Sequence, residues 1–200
     1  DHVFITQKEI LSLLNNKKLS PIGKEIAGIN TRQLEDELSL YPLVDNVECF
    51  HTPGGRIAIE ITQRLPILRV MASNGDNYYI DEKGRIMPLP NNAANVAVVT
   101  GMVDRNFAIK ELYEFGLFLQ HHPLWKAQIQ QINVTPAKEL ELVPRVGEHI
   151  IFLGKPENYE QKFERLKKFY RKALNQIGWN KYSRISLEFD NQIICTQKEQ

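Results

Sequence analysis

The sequence predicts an α+β protein with two domains, and three features of the chain lead to that expectation. Two helix-forming segments followed by a hairpin fill residues 1–63. From residue 64 the style changes to short extended runs cut by turn chemistry. Tyr159 to Ile177 is the clearest amphipathic helix, and a terminal hairpin follows it. The expected division is therefore a small domain over residues 1–63, with two helices on a three-stranded sheet. A larger, mainly antiparallel β domain with two helices would occupy residues 64–200.

The chain opens on Asp1-His2-Val3-Phe4-Ile5, an extended run without an initiator Met, and so reads as a processed or cloned fragment. Thr6-Gln7-Lys8-Glu9 fits a capping box, in which the Thr hydroxyl accepts the third helical N–H and Glu9 reaches back. Ile10, Leu11 and Leu14 then repeat at helical spacing, and Pro21-Ile22-Gly23 ends the element. Asn30 is the expected N-cap of a second helix with Leu34, Leu38 and Tyr41 on one face, stopped by Pro42. Val47 and Cys49 lie on an extended run, and Pro53-Gly54-Gly55 supplies a hairpin turn. Ile57, Ile59 and Ile61 alternate with Ala58, Glu60 and Thr62, as on a half-buried strand.

In the second part, strands are expected at Ile67–Met71, Asn77–Asp81, Arg85–Leu89 and Val96–Thr100. A helix follows from Asn106 to Gln120, with Ile109, Leu112, Gly116 and Leu119 aligned and His121-His122-Pro123 at its end. Further strands fall at Ile129–Thr135, Glu139–Val143 and His149–Leu153. Tyr159, Phe163, Leu166, Tyr170, Leu174 and Ile177 form the stripe of the last helix, and Gly178 is a natural stop. Ile185, Leu187 and Phe189 alternate against Arg184, Ser186 and Glu188. Asp190-Asn191 then turns the chain into Gln192 to Gln197.

Composition narrows the function. The 200 residues are 42% hydrophobic and 24% charged, with a net charge of +1, which gives no global case for nucleic acid. No apolar run approaches the roughly eighteen residues of a membrane span, and the start lacks a signal-peptide pattern. Cys49 and Cys195 allow at most one bridge, and their plain reading is two small buried apolar residues.

Enzyme signatures are lacking. His-Glu-x-x-His, Cys-x-x-Cys, Gly-x-Ser-x-Gly and a phosphate-cradling glycine loop do not occur, and no cofactor or metal site is expected. Asp76, Asp81 and Glu82 sit in or beside turns, where carboxylates serve turn geometry. Asn133-Val134-Thr135 matches a glycosylation tripeptide, a pattern frequent by chance. A chain that invests so much sequence in backbone pairing favours a scaffold over a catalyst.

Two sets of motifs carry a family resemblance. Arg64-Leu65-Pro66-Ile67-Leu68-Arg69-Val70, followed by Tyr79-Ile80-Asp81-Glu82-Lys83-Gly84-Arg85, resembles the junction between the POTRA and β domains of the bacterial cell-division FtsQ/DivIB family. Leu153-Gly154, the helix after it, and Ser186-Leu187-Glu188-Phe189-Asp190 are similar to the ending of the same family. Ser186 stands where that family commonly has Asp, and Gln197 where some members have an aromatic residue. The resemblance implies a POTRA-like domain over 1–63 with a truncated first strand, and a β domain over 64–200. It implies a non-enzymatic scaffold of the divisome. The scaffold would be single-pass in the inner membrane through a transmembrane helix missing from this chain, with this fragment in the periplasm.

The implied partners are division proteins of the FtsB/FtsL type, bound by strand addition at the C-terminal edge, and other divisome proteins through the POTRA domain. The implied contact residues are Gln192, Ile193, Ile194, Cys195, Thr196 and Gln197, helped by Phe189 and Asn191. This stretch holds no charge before Lys198 and no proline, so two usual edge protections are missing. By itself it reads as an ordinary last strand; with the resemblance it becomes a recognition edge. Lys162, Arg165, Lys167, Lys168, Arg171 and Lys172 should make one face of the last helix basic, with a Glu164–Lys168 pair. Lys168 and Lys172 are the candidates to meet an acidic partner helix, against the plainer reading of a solvated face. The alternative class is a POTRA-containing outer-membrane assembly or secretion component that binds substrate strands.

Overall fold

The structure is a computed structural model that describes residues 4–198. It has two compact units. One comprises Asp1–Leu65 and Met87–Ala94, the other Pro66–Ile86 and Asn95–Gln200.

In the first unit, helix α1 (Gln7–Asn16) starts as its capping residues dictate. The Glu9 N–H donates to Thr6 Oγ1 at 3.3 Å, and the Thr6 N–H donates to the Glu9 carboxylate at 2.8 Å. That exposed carboxyl is held below its ordinary value, chiefly by the Thr6 backbone hydrogen bond. Asn30 caps α2 (Thr31–Ser39), its side-chain oxygen accepting the Gln33 N–H at 3.1 Å. The helix closes before Tyr41, which is half-buried beside the core. Strands β1 (Val44–Thr52) and β2 (Arg56–Gln63) form an antiparallel hairpin with Cys49 opposite Ile59. Leu14, Leu34, Leu38, Val47 and Cys49 are buried between the helices and this hairpin. The sheet here has two strands among the described residues. The expected first strand falls mostly on Asp1–Val3, outside the described residues, and Phe4 and Ile5 are not in a strand.

The second unit is built on a nine-stranded sheet in the order β11-β10-β9-β8-β7-β6-β3-β4-β5. The strands are β3 (Pro66–Ala72), β4 (Asn77–Asp81), β5 (Ile86–Met87), β6 (Ala97–Gly101), β7 (Ile129–Val134), β8 (Leu140–Pro144), β9 (Ile150–Gly154), β10 (Tyr182–Ser186) and β11 (Ile194–Gln197). The sheet is mixed. β3–β4, β7–β8, β8–β9 and β10–β11 are antiparallel, whereas β3–β6, β6–β7 and β9–β10 run parallel. Two of these parallel joints are bridged by helical crossovers, which is why short-range turn signals could not announce them.

Helix α3 (residues 105–121) carries a wide, π-type turn over Ala108–Leu112. The added residue shifts the phase of the helix. Ala108, Leu112, Gly116 and Leu119 therefore face the core, and Ile109, expected among them, is 38% exposed. Gly116 is required by close approach, because a Cβ there would lie 2.7 Å from the Leu68 side chain on β3. Helix α4 (Pro123–Gln128) was not expected from the sequence. His122 ends one helix with its Nδ1 2.7 Å from the Phe118 carbonyl, and Pro123 starts the next at a position where no N–H is missed.

Helix α5 (residues 159–177) has its own wide turn over Tyr170–Leu174. Phe163, Leu166, Tyr170 and Leu174 are buried, but Ile177 at the frayed end is 42% exposed and leaves the expected stripe. Phe163 sits among Trp125, Phe118 and Phe115, with ring centroids at 4.7, 5.2 and 5.8 Å. That aromatic cluster locks α3, α4 and α5 together on one face of the sheet.

Candidate functional site

The sheet register shows how the core ends at β11. Val70, Val99, Ile132, Leu142, Ile151, Ile185 and Cys195 are consecutive cross-strand partners from β3 to β11. Every member is completely buried except Cys195, which is half-buried at the border of the sheet. On the opposite face a second row runs through Thr100, Asn133, Glu141, Phe152, Ser186 and Ile194. It is mostly polar and laced by side-chain bonds. Asn133 donates to Glu141 at 3.1 Å, and Arg184 Nη1 pairs with Glu141 at 2.9 Å while its guanidinium carbon lies 4.3 Å from the Phe152 ring centre. The row ends on Ile194, 46% exposed.

Strand β11 is thus the outermost strand, and among the described residues it pairs with β10 alone. Its pattern follows from the alternation of a pleat. Ile193 and Cys195 pack against the core, whereas Ile194 and Thr196 lie on the other face. The strand starts at Ile194, two residues later than expected. Gln192 and Ile193 belong to the connection from β10, as do Phe189 and Asn191. Asn191 sits at φ 64°, a left-handed turn conformation that Asn tolerates, and Phe189 is 47% exposed. Gln197 pairs with Tyr182, whose ring meets Phe169 of α5 at 6.2 Å. Beyond it, Lys198 reaches Glu148 in the β8–β9 turn and holds that carboxyl below its ordinary value.

The cations of α5 do not form one outward face. Lys162 is buried, and its ammonium donates to the carbonyls of Leu153 (2.9 Å) and Lys155 (3.3 Å) where β9 ends. Burial pushes its pKa down. Arg165 turns toward the β10–β11 connection and donates from Nη2 to the carbonyls of Leu187 (3.3 Å) and Phe189 (3.1 Å). Position on the helix decides this: both lie on turns that pass over the ends of β9 and β10, where departing strands leave carbonyls without ladder donors. Lys167, Lys168, Arg171 and Lys172 remain exposed. Glu164 pairs with Lys167 at 3.8 Å rather than with Lys168, and no described ion pair engages Lys168 or Lys172. Those two flank Phe169 and Ala173 on the helix, and no described hydrogen bond ties them to β11.

His149, just before β9, has Nε2 2.9 Å from the Tyr170 hydroxyl, while its buried Nδ1 makes no hydrogen bond. Burial pushes its pKa below the ordinary 6.5, against an opposing contribution from the Trp179 backbone. The two cysteines are free thiols; burial pushes the Cys195 thiol up, and it pushes the Cys49 thiol up to about 11. Among the described residues, no three His, Cys, Asp or Glu side chains are grouped as a metal site requires. The roles of Lys162 and Arg165 were missed because helical spacing gives a residue's angle on the helix, not what the chain places opposite it; that of His149 was missed because its partner Tyr170 comes from a distant helix.

Two family models match. One, described as FtsQ/DivIB, C-terminal related, covers residues 65–196; the other, a POTRA-like domain, covers residues 1–62. No curated protein matches the chain.

Proposed function

This chain belongs to the FtsQ/DivIB family, and on that premise we propose that it is a divisome scaffold that takes up a strand from a partner of the FtsB/FtsL type along β11. The observation that supports this most is the buried apolar row that stops at Cys195 on an edge without proline or charge. An added strand would extend the ladder by backbone hydrogen bonds, each with a net worth of about 1 kcal/mol. The same strand would continue the row with one apolar side chain beside Cys195. Neighbours at the alternate positions would lie beside Ile194 and Thr196, where polar groups are tolerated.

In this reading Phe189, Asn191 and Gln192 contact the partner from the connection, and Ile193 to Gln197 contact it from the strand. Lys168 and Lys172 attract an acidic segment. The family works as a non-enzymatic, membrane-anchored scaffold of cell division. Among the described residues no helix is long and apolar enough to cross a membrane. We place the chain on the periplasmic side of the inner membrane, with the POTRA-like part contacting other divisome proteins. The match over residues 65–196 favours this reading over an outer-membrane assembly or secretion component.

The test is Ile194→Pro, assayed by pull-down and titration with a purified FtsB/FtsL pair. Proline lacks the N–H of a ladder residue and bends the edge. Binding should disappear while the circular dichroism spectrum stays that of the native protein. Unchanged affinity in a folded variant would refute strand addition at β11.

A further inference from the structure

Among the described residues, strand β11 has four residues, one neighbouring strand, and a connection of seven residues from β10. A short edge strand on so long a connection is poorly fixed by its own ladder. The connection nevertheless follows a defined path. The Leu187 N–H donates to the Phe152 carbonyl at 2.8 Å, so the chain stays beside β9 for one residue after β10. From there, a single nitrogen of Arg165 bridges the carbonyls of Leu187 and Phe189, 22 and 24 residues away in sequence. Three residues earlier on the same helix, Lys162 fixes the end of β9 through Leu153 and Lys155. Burying a lysine costs desolvation that an apolar residue would not, and charge-assisted bonds to these two carbonyls offset that cost. Glu157, Glu188 and Asp190 add favourable charge around Lys162.

We infer that Arg165 is a positioning residue for the partner-binding edge, with Lys162 as its anchor on β9, an inference that rests on the reading of β11 as the recognition strand. Arg165 grips the connection on both sides of Glu188 and so sets where Phe189 is presented and where β11 begins. Its helix is clamped in turn to β9 by Lys162. The edge is therefore held in place before a partner arrives, and less ordering remains to oppose binding.

The two free thiols provide a readout that needs no partner. Cys195 lies on β11 and Cys49 in the core of the first unit. Labelling of the folded chain by iodoacetamide reports local opening at each. Arg165→Met should speed labelling of Cys195 about tenfold and leave Cys49 unchanged, the loss expected when a charge-assisted bond is removed. Arg165→Lys, which keeps a cation able to reach one carbonyl, should recover most of the protection. Hydrogen exchange should locate the change in residues 187–197, with β9 and α5 as slow as in the unmodified protein.

An unchanged Cys195 rate in Arg165→Met would overturn the inference. So would exchange that accelerates throughout the second unit, because that outcome makes Arg165 a general support of the fold. Neither result depends on a partner, so this inference fails independently of strand addition. If Ile194→Pro bound the FtsB/FtsL pair normally while Arg165→Met loosened only the edge, the clamp would stand and its proposed purpose would fall.

Discussion

The nine-stranded sheet ends in two unlike edges. At one end β5 is only Ile86–Met87, followed at once by Pro88-Leu89-Pro90, so the chain offers little ladder to a stranger. The turn before it is locked by Asp81, a fully buried carboxylate that accepts the Lys83 and Arg85 N–H groups at 3.0 and 2.8 Å. The Arg85 side chain closes the pair at 2.8 Å. Gly84 makes the turn possible at φ 74°. At the other end β11 has twice the length, no proline, and no charge until Lys198. One sheet thus carries a blunted edge and an unblunted one. The difference teaches that the open edge is not a defect of the architecture, since the same chain closes its opposite edge with several devices at once.

The largest expected effect falls on what the two edges share. Phe163→Ala removes the ring at the centre of the aromatic cluster and should lower the stability of the second unit by about 3–5 kcal/mol. Urea unfolding followed by hydrogen exchange should show both edges loosening together; loosening of β11 alone would mean that the cluster supports only the open side. Arg85→Met should act on the closed edge alone. With Arg85 half-exposed, the loss should be on the order of 2 kcal/mol, below that of a fully buried pair. Faster exchange should be confined to residues 77–87, and a comparable change at 194–197 would break the comparison.

Acid should distinguish the edges next, through His149. Its folded-state pKa lies below 6.5, so the unfolded chain takes up the proton first. The stability it contributes is complete above about pH 6.5 and falls as the pH drops from there toward the folded-state value. Groups facing it are the Tyr170 hydroxyl from α5, the Trp179 carbonyl, and Lys198 at the end of β11. Denaturation midpoints measured between pH 7 and pH 5 should fall less in His149→Gln than in the unmodified protein; parallel curves would contradict this assignment. The smallest effect belongs to the rim. Lys168→Glu with Lys172→Glu should leave stability unchanged, weaken partner binding by about 1 kcal/mol and flatten its salt dependence. No change at low salt would return these lysines to a solvated role.

One side of this contrast was legible in the sequence, and the missing parts have identifiable causes; Arg85–Leu89 reads as a five-residue strand, whereas only Ile86–Met87 forms one before Pro88. Thr6, Asn30 and Pro123 act through bonds within a few residues, and alternation in Ile57–Ile61 is likewise local; the first two caps and the hairpins could be read directly. Helix phase was legible except at Ile109, which the π-type turn carries outward, and at Ile177 at the end of α5. The parallel joints β3–β6, β6–β7 and β9–β10 depend on contacts between distant segments, which no short pattern encodes. Within the candidate site, the unprotected composition of residues 192–197 was visible. The inward turn of Lys162 and Arg165 was not, because their acceptors come from other elements.

The most direct measurement is hydrogen exchange on this chain with and without a bound FtsB/FtsL pair. Strand addition predicts new protection of the amides of Ile194–Gln197, with β5 and its turn exchanging as before. Protection that appeared elsewhere while residues 194–197 exchanged at their unbound rate would contradict it.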